Sequence, residues 1–315
     1  MNIESEKKIY AITCGMVAAG YDLYTTAWVD LYDFAQEAAQ LTLDEDIKGW
    51  FKKARTGQAE VNPYWPRGHA VLSAVFFIDG DGFDIDGFIA FFDETGVTDP
   101  FSRESFREWI AELPRVLEYM DKKAAGLWEK YKTLLNHLTY GSEPLMIKTR
   151  KIADDFFEGE AKELLFAPNP LYSPYATDFV HTGNKIVVIG HSCDTESMLH
   201  EALHIEVAKY RDKITAFSKK HSNGAFADLE KMIYMGYIDQ KTHVDEYNES
   251  YIRVIEECFV RGISTVLAGG GARRLTAHAH DGFGSVPIIG TYFEQSRPKA
   301  SELGAFIDSV LEKFI

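Results

Sequence analysis

The chain has 315 residues, 46% hydrophobic and 26% charged, with 33 Lys+Arg against 48 Asp+Glu for a formal charge of -15. That composition excludes collagen-like, low-complexity and intrinsically disordered chains, and the length suits one or two domains. A chain this acidic has no general attraction for a phosphate backbone, so no nucleic-acid partner is expected.

Three cysteines, Cys14, Cys193 and Cys258, are widely spaced and form no CxxC pair. A disulfide framework is not expected, and a reducing, cytoplasmic setting is the favoured one. No apolar run approaches the roughly 18–20 residues of a membrane span, so no membrane partner is expected either. Lys7-Lys8 ahead of the mildly apolar stretch from Ile9 to Gly20 imitates a signal peptide, which leaves secretion as the alternative. Glu4 and Glu6 fall in the would-be basic region, and Tyr10, Thr13 and Gly15 interrupt the apolar core. An N-terminal element packed into the fold is the better reading.

In chain order, residues 22–40 read as a helix, with Leu23, Ala27, Leu31, Phe34, Ala35 and Ala38 near a 3.6 period. Residues 44–55 read as a second, polar helix. Asn62-Pro63 and Trp65-Pro66 break the chain. The apolar runs His69–Phe77 and Phe88–Phe92 fit buried strands or helix ends equally, because periodicity cannot separate the two. The stretch 102–166 reads as helix-rich. Ser102 and Ser105 are candidate caps, and Trp109, Leu113, Val116, Leu117 and Met120 form an apolar stripe.

The second half differs in character. Ala176–His181 and Lys185–Ile189 flank Thr182-Gly183-Asn184 and predict a hairpin. A helix is predicted over about 195–210, capped by Asp194 or Thr195, with Glu196 placed favourably against the helix dipole. Further helices are predicted near 225–235, over about 245–268 and over roughly 301–314, with a loop-rich segment to about 298.

The informative residues are His200-Glu201-Ala202-Leu203-His204, an H-E-x-x-H sequence inside a predicted helix. Four residues advance a helix by about 400°, so the two imidazoles lie one turn apart on one face and can share a metal ion. Glu201 is displaced around the helix and suits a general base acting on metal-bound water. Zinc is the default ion for two imidazoles with a carboxylate. With 10 His and 26 Glu in the chain, chance gives such a pattern an expected count of about 0.03, so the motif carries weight. The strand predicted at 185–189, just ahead of this helix, could pair with an extended peptide.

The segment resembles the zincin metallopeptidases, and among them the gluzincin type, in which a glutamate from a later helix is the third ligand. Tyr210 follows where a metzincin would carry its third histidine nearby, and Glu206 stands at a position usually apolar in zinc peptidases. Glu257-Cys258-Phe259-Val260-Arg261 is similar to the Glu-x-x-Val-Arg stretch of a poorly characterised group of predicted bacterial zincins. The resemblance covers roughly residues 175–265 and selects Glu257 as the ligand. Helical geometry selects Glu256 instead, because the apolar face centres on Ile252, Ile255 and Phe259 and Glu257 points nearly opposite. Both remain candidates on sequence.

The resemblance implies an α+β, predominantly helical, zincin-like fold with a small sheet or hairpin preceding the motif helix. A mostly helical N-terminal region over 1–170 would pack on a metal-binding core over 171–315, unless the two form one continuous domain. It further implies a zinc-dependent hydrolase acting on a peptide or protein. His200, His204 and Glu257 or Glu256 would hold zinc, and Glu201 would pass the proton of a metal-activated water to the leaving amine. A zincin-like protein that binds metal or a peptide without turnover is the alternative. His278, His280, Tyr292, His243, Tyr247 and Tyr251 are candidate donors to the developing oxyanion, none singled out by spacing.

Other features read as ordinary structure. His191 and Cys193 are expected to line the loop before the motif helix. Gly269-Gly270-Gly271 with Arg273-Arg274 lacks the spacing of a phosphate-binding loop and reads as a loop beside the cleft. Asp79, Asp81, Asp84 and Asp86 miss the calcium-loop spacing and read as a polar turn.

Overall fold

A computed structural model describes residues 3–21, 29–54, 66–80, 82–94, 103–140, 142–159, 163–171, 177–182, 185–191, 194–220, 226–228, 231–232 and 244–314. The described residues are predominantly helical with a small sheet. They fall into two compact units that interleave along the chain: 1–143 with 162–193, and 144–161 with 194–315. No described helix is long and apolar enough to cross a membrane.

The first unit is built on α1 (Ile3–Ala18). From Ile9 to Val17 every position is buried, so this stretch of the helix has no solvent stripe, while Lys7 ahead of it is exposed. That explains the run that imitates a signal peptide: a helix apolar on all sides belongs inside a core. Gly15 is one reason it fits, since a Cβ there would stand 2.3 Å from the Phe51 ring. Around it lie α2 (Val29–Ala39), α3 (Glu45–Ala54) and α4 (Pro66–Ala74). Helices α5 (Ile85–Glu94), α6 (Arg103–Ile110), α7 (Leu113–Ala124) and α8 (Trp128–Thr139) complete the helical part. The predicted stripe on 109–120 is buried in full. Trp50 and Trp109 stack at 5.0 Å, and each indole N–H donates to the other's backbone carbonyl, at 2.8 and 3.0 Å. Buried tryptophan is tolerated where that N–H finds an acceptor.

The apolar runs 69–77 and 88–92 are helical, the first ending in a short 3-10 turn. Between them a two-stranded ribbon, β1 (Ile78–Asp79) and β2 (Gly82–Phe83), turns at Gly80, whose φ is +53°. Asp84 then accepts from the Gly87 N–H at 2.9 Å, the work of a turn residue opening α5. The polar-turn reading of this aspartate cluster therefore holds for its described members; Asp81 lies outside them.

Strands β3 (Glu163–Pro168), β4 (Thr177–Thr182) and β5 (Lys185–Gly190) form the sheet, in the order β3-β5-β4. Strands β4 and β5 are antiparallel with Thr182 opposite Lys185, as the hairpin predicts, while β3 lies parallel to β5. Two expectations change. Residues 163–168 are a strand and not the end of a helix; the run Leu164–Ala167 had no period of its own, and pairing with β5 decides its state. Strand β5 is central, with both edges paired, so it cannot take up an extended peptide as expected.

The second unit takes nearly all of α9 (Ser142–Phe156), then α10 (Thr195–Ala208), α11 (Arg211–Ser218), α12 (Val244–Leu267), α13 (Ala272–His280), α14 (Val286–Ser296) and α15 (Leu303–Leu311). Helix α12 is the axis; α10, α11, α13 and α14 all pack on it. The expected loop over 271–298 is two helices. Its glycines and proline punctuate those helices: Gly269 takes φ +85° just past α12, Gly271 caps α13, and Pro287 sits in the first turn of α14. Ser105 lies inside α6 and is not its cap, and Ser102 and most of 225–235 lie outside the described residues.

Helices α12 and α14 approach closely at Gly262. A Cβ there would meet Ile289 Cγ2 at 2.8 Å and the Gly290 nitrogen at 3.2 Å, whereas one at Gly49 in α3 would meet nothing within 4 Å. Gly49→Ala should therefore stabilise the protein by roughly 0.5–1 kcal/mol through helix propensity. Gly262→Ala should destabilise it, because overpacking costs about 1–3 kcal/mol against that same gain. Thermal melts of both variants check the pair; a higher melting temperature for Gly262→Ala would contradict the close packing.

Candidate metal centre

Helix α10 starts where the sequence says it should. Asp194 accepts from the Ser197 N–H at 2.8 Å and the Ser197 hydroxyl at 2.6 Å, fixing the first turn. From there Glu196, His200 and His204 follow at intervals of four and share one face. Met198, Leu199, Ala202 and Leu203 are buried and anchor the helix.

The two imidazoles converge. His200 Nε2 and His204 Nε2 stand 3.1 Å apart. Glu257 reaches them from α12, with Oε1 3.5 Å from His200 Nε2 and Oε2 3.4 Å from His204 Nε2. Glu201 is buried beside them: its carboxylate and the two ring nitrogens all lie within 4.8 Å of one another. Glu256 is elsewhere, gripped by Arg211 through two bonds of 2.7 Å. The geometry thus brings Glu257 to the histidines and commits Glu256 to an ion pair. Helical periodicity pointed to Glu256 because it assumes one apolar face, whereas α12 is covered on most sides and its apolar face does not single out the face that meets α10.

Burial governs the protonation of this cluster. It holds the His200 imidazole at about 3, more than offsetting the pull of Glu257, with His204 and Arg261 adding to the depression. His204 is likewise lowered, by burial first and against the pull of Glu257 and Glu256. Burial opposes ionisation of Glu257, but His200, Arg261 and His204 overcome it and hold the carboxyl at about 2. Near neutral pH both imidazoles are uncharged, so Arg261 is the cation that keeps Glu257 ionised. The site therefore presents two neutral imidazole nitrogens and one carboxylate, the protonation states a metal requires of its ligands.

Behind Glu257 lies a relay that sequence reasoning did not assemble. Arg261 Nη2 contacts Glu257 Oε1 at 2.6 Å, and Nη1 stands 3.3 Å from His278 Nδ1. His278 Nε2 is 3.0 Å from Glu196 Oε1, to which the Thr265 hydroxyl also donates at 2.7 Å. Arg274 closes the far end on Glu196 Oε2 at 3.0 Å. Burial opposes the Glu196 charge, yet these donors hold its carboxyl at about 2. The signal was present as spacing: 196, 200 and 204 on one helix, 257, 261 and 265 on the other, each at intervals of four.

The remaining sequence candidates fall into place around this. Both ring nitrogens of His278 are engaged in the relay, so it is not an uncommitted oxyanion donor, and the Tyr251 hydroxyl accepts from the Phe226 N–H at 3.3 Å. His280 and Tyr292 are exposed. His243, Cys193 and the Tyr247 side chain lie outside the described residues. His191 is buried within the first unit and lowered by that burial. Glu206 is held by Lys209, at 2.6 Å, on the helix surface.

No protein-family model, curated protein or solved structure matches the chain.

The depressed imidazoles set a pH dependence. Above about 6.5 they are neutral in both folded and unfolded chains. Below that the unfolded chain takes up protons that the folded site refuses, so stability falls as pH falls, until His200 protonates near 3. Glu257 acts in the same sense over the lower window from about 4.5 to about 2. In chelator, the urea midpoint should drop between pH 6.5 and 5, with His200 accounting for on the order of 2 kcal/mol. His200→Gln should flatten that slope; an unchanged slope would show that His200 titrates as an exposed histidine does.

Proposed function

We propose that this chain is a zinc-dependent hydrolase of the metallopeptidase class with a zincin-like core, using His200, His204 and Glu257 as ligands and Glu201 as general base. One observation carries the reading. Ligand atoms about 2.0–2.1 Å from a tetrahedral zinc stand about 3.3 Å from one another. The separations here are 3.1 Å between the imidazole nitrogens and 3.4 Å from Glu257 Oε2 to His204 Nε2, with the other carboxylate oxygen, Oε1, 3.5 Å from His200 Nε2. The donor set is also of the right kind, two neutral imidazoles and an ionised carboxylate.

Zinc in such a site supplies a Lewis acid that polarises a carbonyl and lowers the pKa of a water. The rest falls to the chain. Glu201, one residue along the helix from His200, is buried at the cluster yet displaced from the face that carries the imidazoles. That placement suits a base that accepts a proton from the attacking water and delivers it to the leaving nitrogen. Glu257 is kept ionised by Arg261 and so remains a ligand down to acid pH. Because β5 is paired on both edges, substrate backbone is not held by that strand, and recognition falls to side chains and to other backbone. A zincin-like binding module without turnover would share the same ligands, so turnover and not zinc content separates the two readings.

Protein purified without chelator or metal-affinity resin should carry about one equivalent of zinc by elemental analysis, and His200→Ala should carry almost none. Less than a tenth of an equivalent in the wild type would sink the metal reading. Glu201→Gln should keep its zinc and lose about 10²–10⁴-fold in turnover of a fluorogenic peptide library. Wild-type zinc content with no turnover in either protein would favour the binding module; equal turnover in both would remove Glu201 as the base.

A further inference from the structure

We propose that Arg261 and His278 are positioning residues of this centre: Arg261 occupies one oxygen of Glu257 so that the carboxylate offers the other as a single-point ligand, and His278, anchored by Glu196, fixes Arg261. The inference rests on the metal-site reading above and deepens it.

An Arg four residues after a Glu on an exposed helix is worth about 0.3–0.5 kcal/mol and needs no further role. This pair is different. The Glu257 and Arg261 side chains are only 13% and 20% exposed, and the guanidinium is held on three sides. Glu257 Oε1 takes Nη2, His278 Nδ1 faces Nη1, and the Phe283 ring lies 4.2 Å below the plane's central carbon. A guanidinium that stacks and bonds through its fork has little freedom to swing.

The relay also has a direction. Arginine only donates, so His278 Nδ1 accepts and the ring proton sits on Nε2. Nε2–H then points to Glu196, which Thr265 and Arg274 hold in place. Every member of the chain Glu196, His278, Arg261, Glu257 is thus set by the one before it. The chain begins on α10 one turn ahead of His200 and returns to α10 at His200 and His204. Partners that orient a ligand in this way are worth about 10–100-fold in metal affinity.

The test measures zinc affinity of the full chain by competition with a chromophoric chelator, and the visible spectrum of the cobalt-loaded protein. Arg261→Gln should weaken zinc binding by about 10–100-fold and alter the cobalt bands, which report coordination. His278→Leu should move both readouts the same way, and His278→Gln, which can still accept and donate, should recover part of the loss. Arg261→Lys keeps a cation without the fork and should fall between wild type and Arg261→Gln. Should Arg261→Gln fail to fold by circular dichroism, Arg261→Lys and His278→Gln decide the matter. Wild type that binds metal, with folded variants matching it in affinity and spectrum, overturns this proposal alone. Wild type that binds neither zinc nor cobalt overturns the metal-site reading on which it rests.

Discussion

The second unit depends on a polar seam between two helices. Three residues of α10 at intervals of four line it: Glu196 meets Thr265 of α12, and His200 and His204 meet Glu257, with Arg261 between those two on α12 backing the glutamate. Glu196 meets Thr265 while His204 meets Glu257, so the helices run in opposite directions. Burying charge between helices is costly unless each group finds a partner of opposite sign or complementary hydrogen bonding. Here the partners are supplied in order, and the Glu196–Thr265 end of the seam is where Asp194 caps α10 and the chain turns at Gly269. The apolar residues on either side make the arrangement affordable, since they fix the helices at a spacing the polar atoms alone could not hold.

Much of this was legible because local chemistry agreed with the final structure. Asp194, Thr195 and Glu196 announce a helix start, and α10 begins there. The H-E-x-x-H spacing forces the imidazoles onto one face, and they converge. The Gly-Asn turn between β-prone runs predicts antiparallel pairing of β4 with β5, and the register follows. What failed to show were the features decided by tertiary contact. Residues 163–168 have no helical or strand period strong enough to choose between states until β5 pairs with them. The stretch after 271 looked like a loop because Gly282, Gly284, Pro287 and Gly290 crowd it; in the structure these residues start, stop and closely pack α13 and α14. Periodicity chose Glu256 over Glu257 because it assumes one buried face, and α12 has partners on several.

Glycine is used in the second unit for proximity as well as for turns. Gly262 lets α12 approach Ile289, and Gly290 lets α14 approach Leu275, with a Cβ there 2.5 Å from Leu275 Cδ2. The helix that bears Arg261 is thereby pressed against one neighbour at the very next residue.

The interleaving of the two units has a consequence for synthesis of the chain. Helix α9 leaves the ribosome before any of the three long strands, yet Thr149 in that helix bonds Thr195 and the Asp155 backbone carbonyl accepts from Lys299, far downstream. The N-terminal helices must likewise await residues 163–190 before their own sheet exists. The first unit is complete in sequence once residue 193 has been made, whereas the histidine pair meets its glutamate only after the polypeptide has crossed between the units three times, after residues 143, 161 and 193. Late, long-range closure of this type slows folding and delays assembly of the histidine–glutamate cluster until α12 has been made.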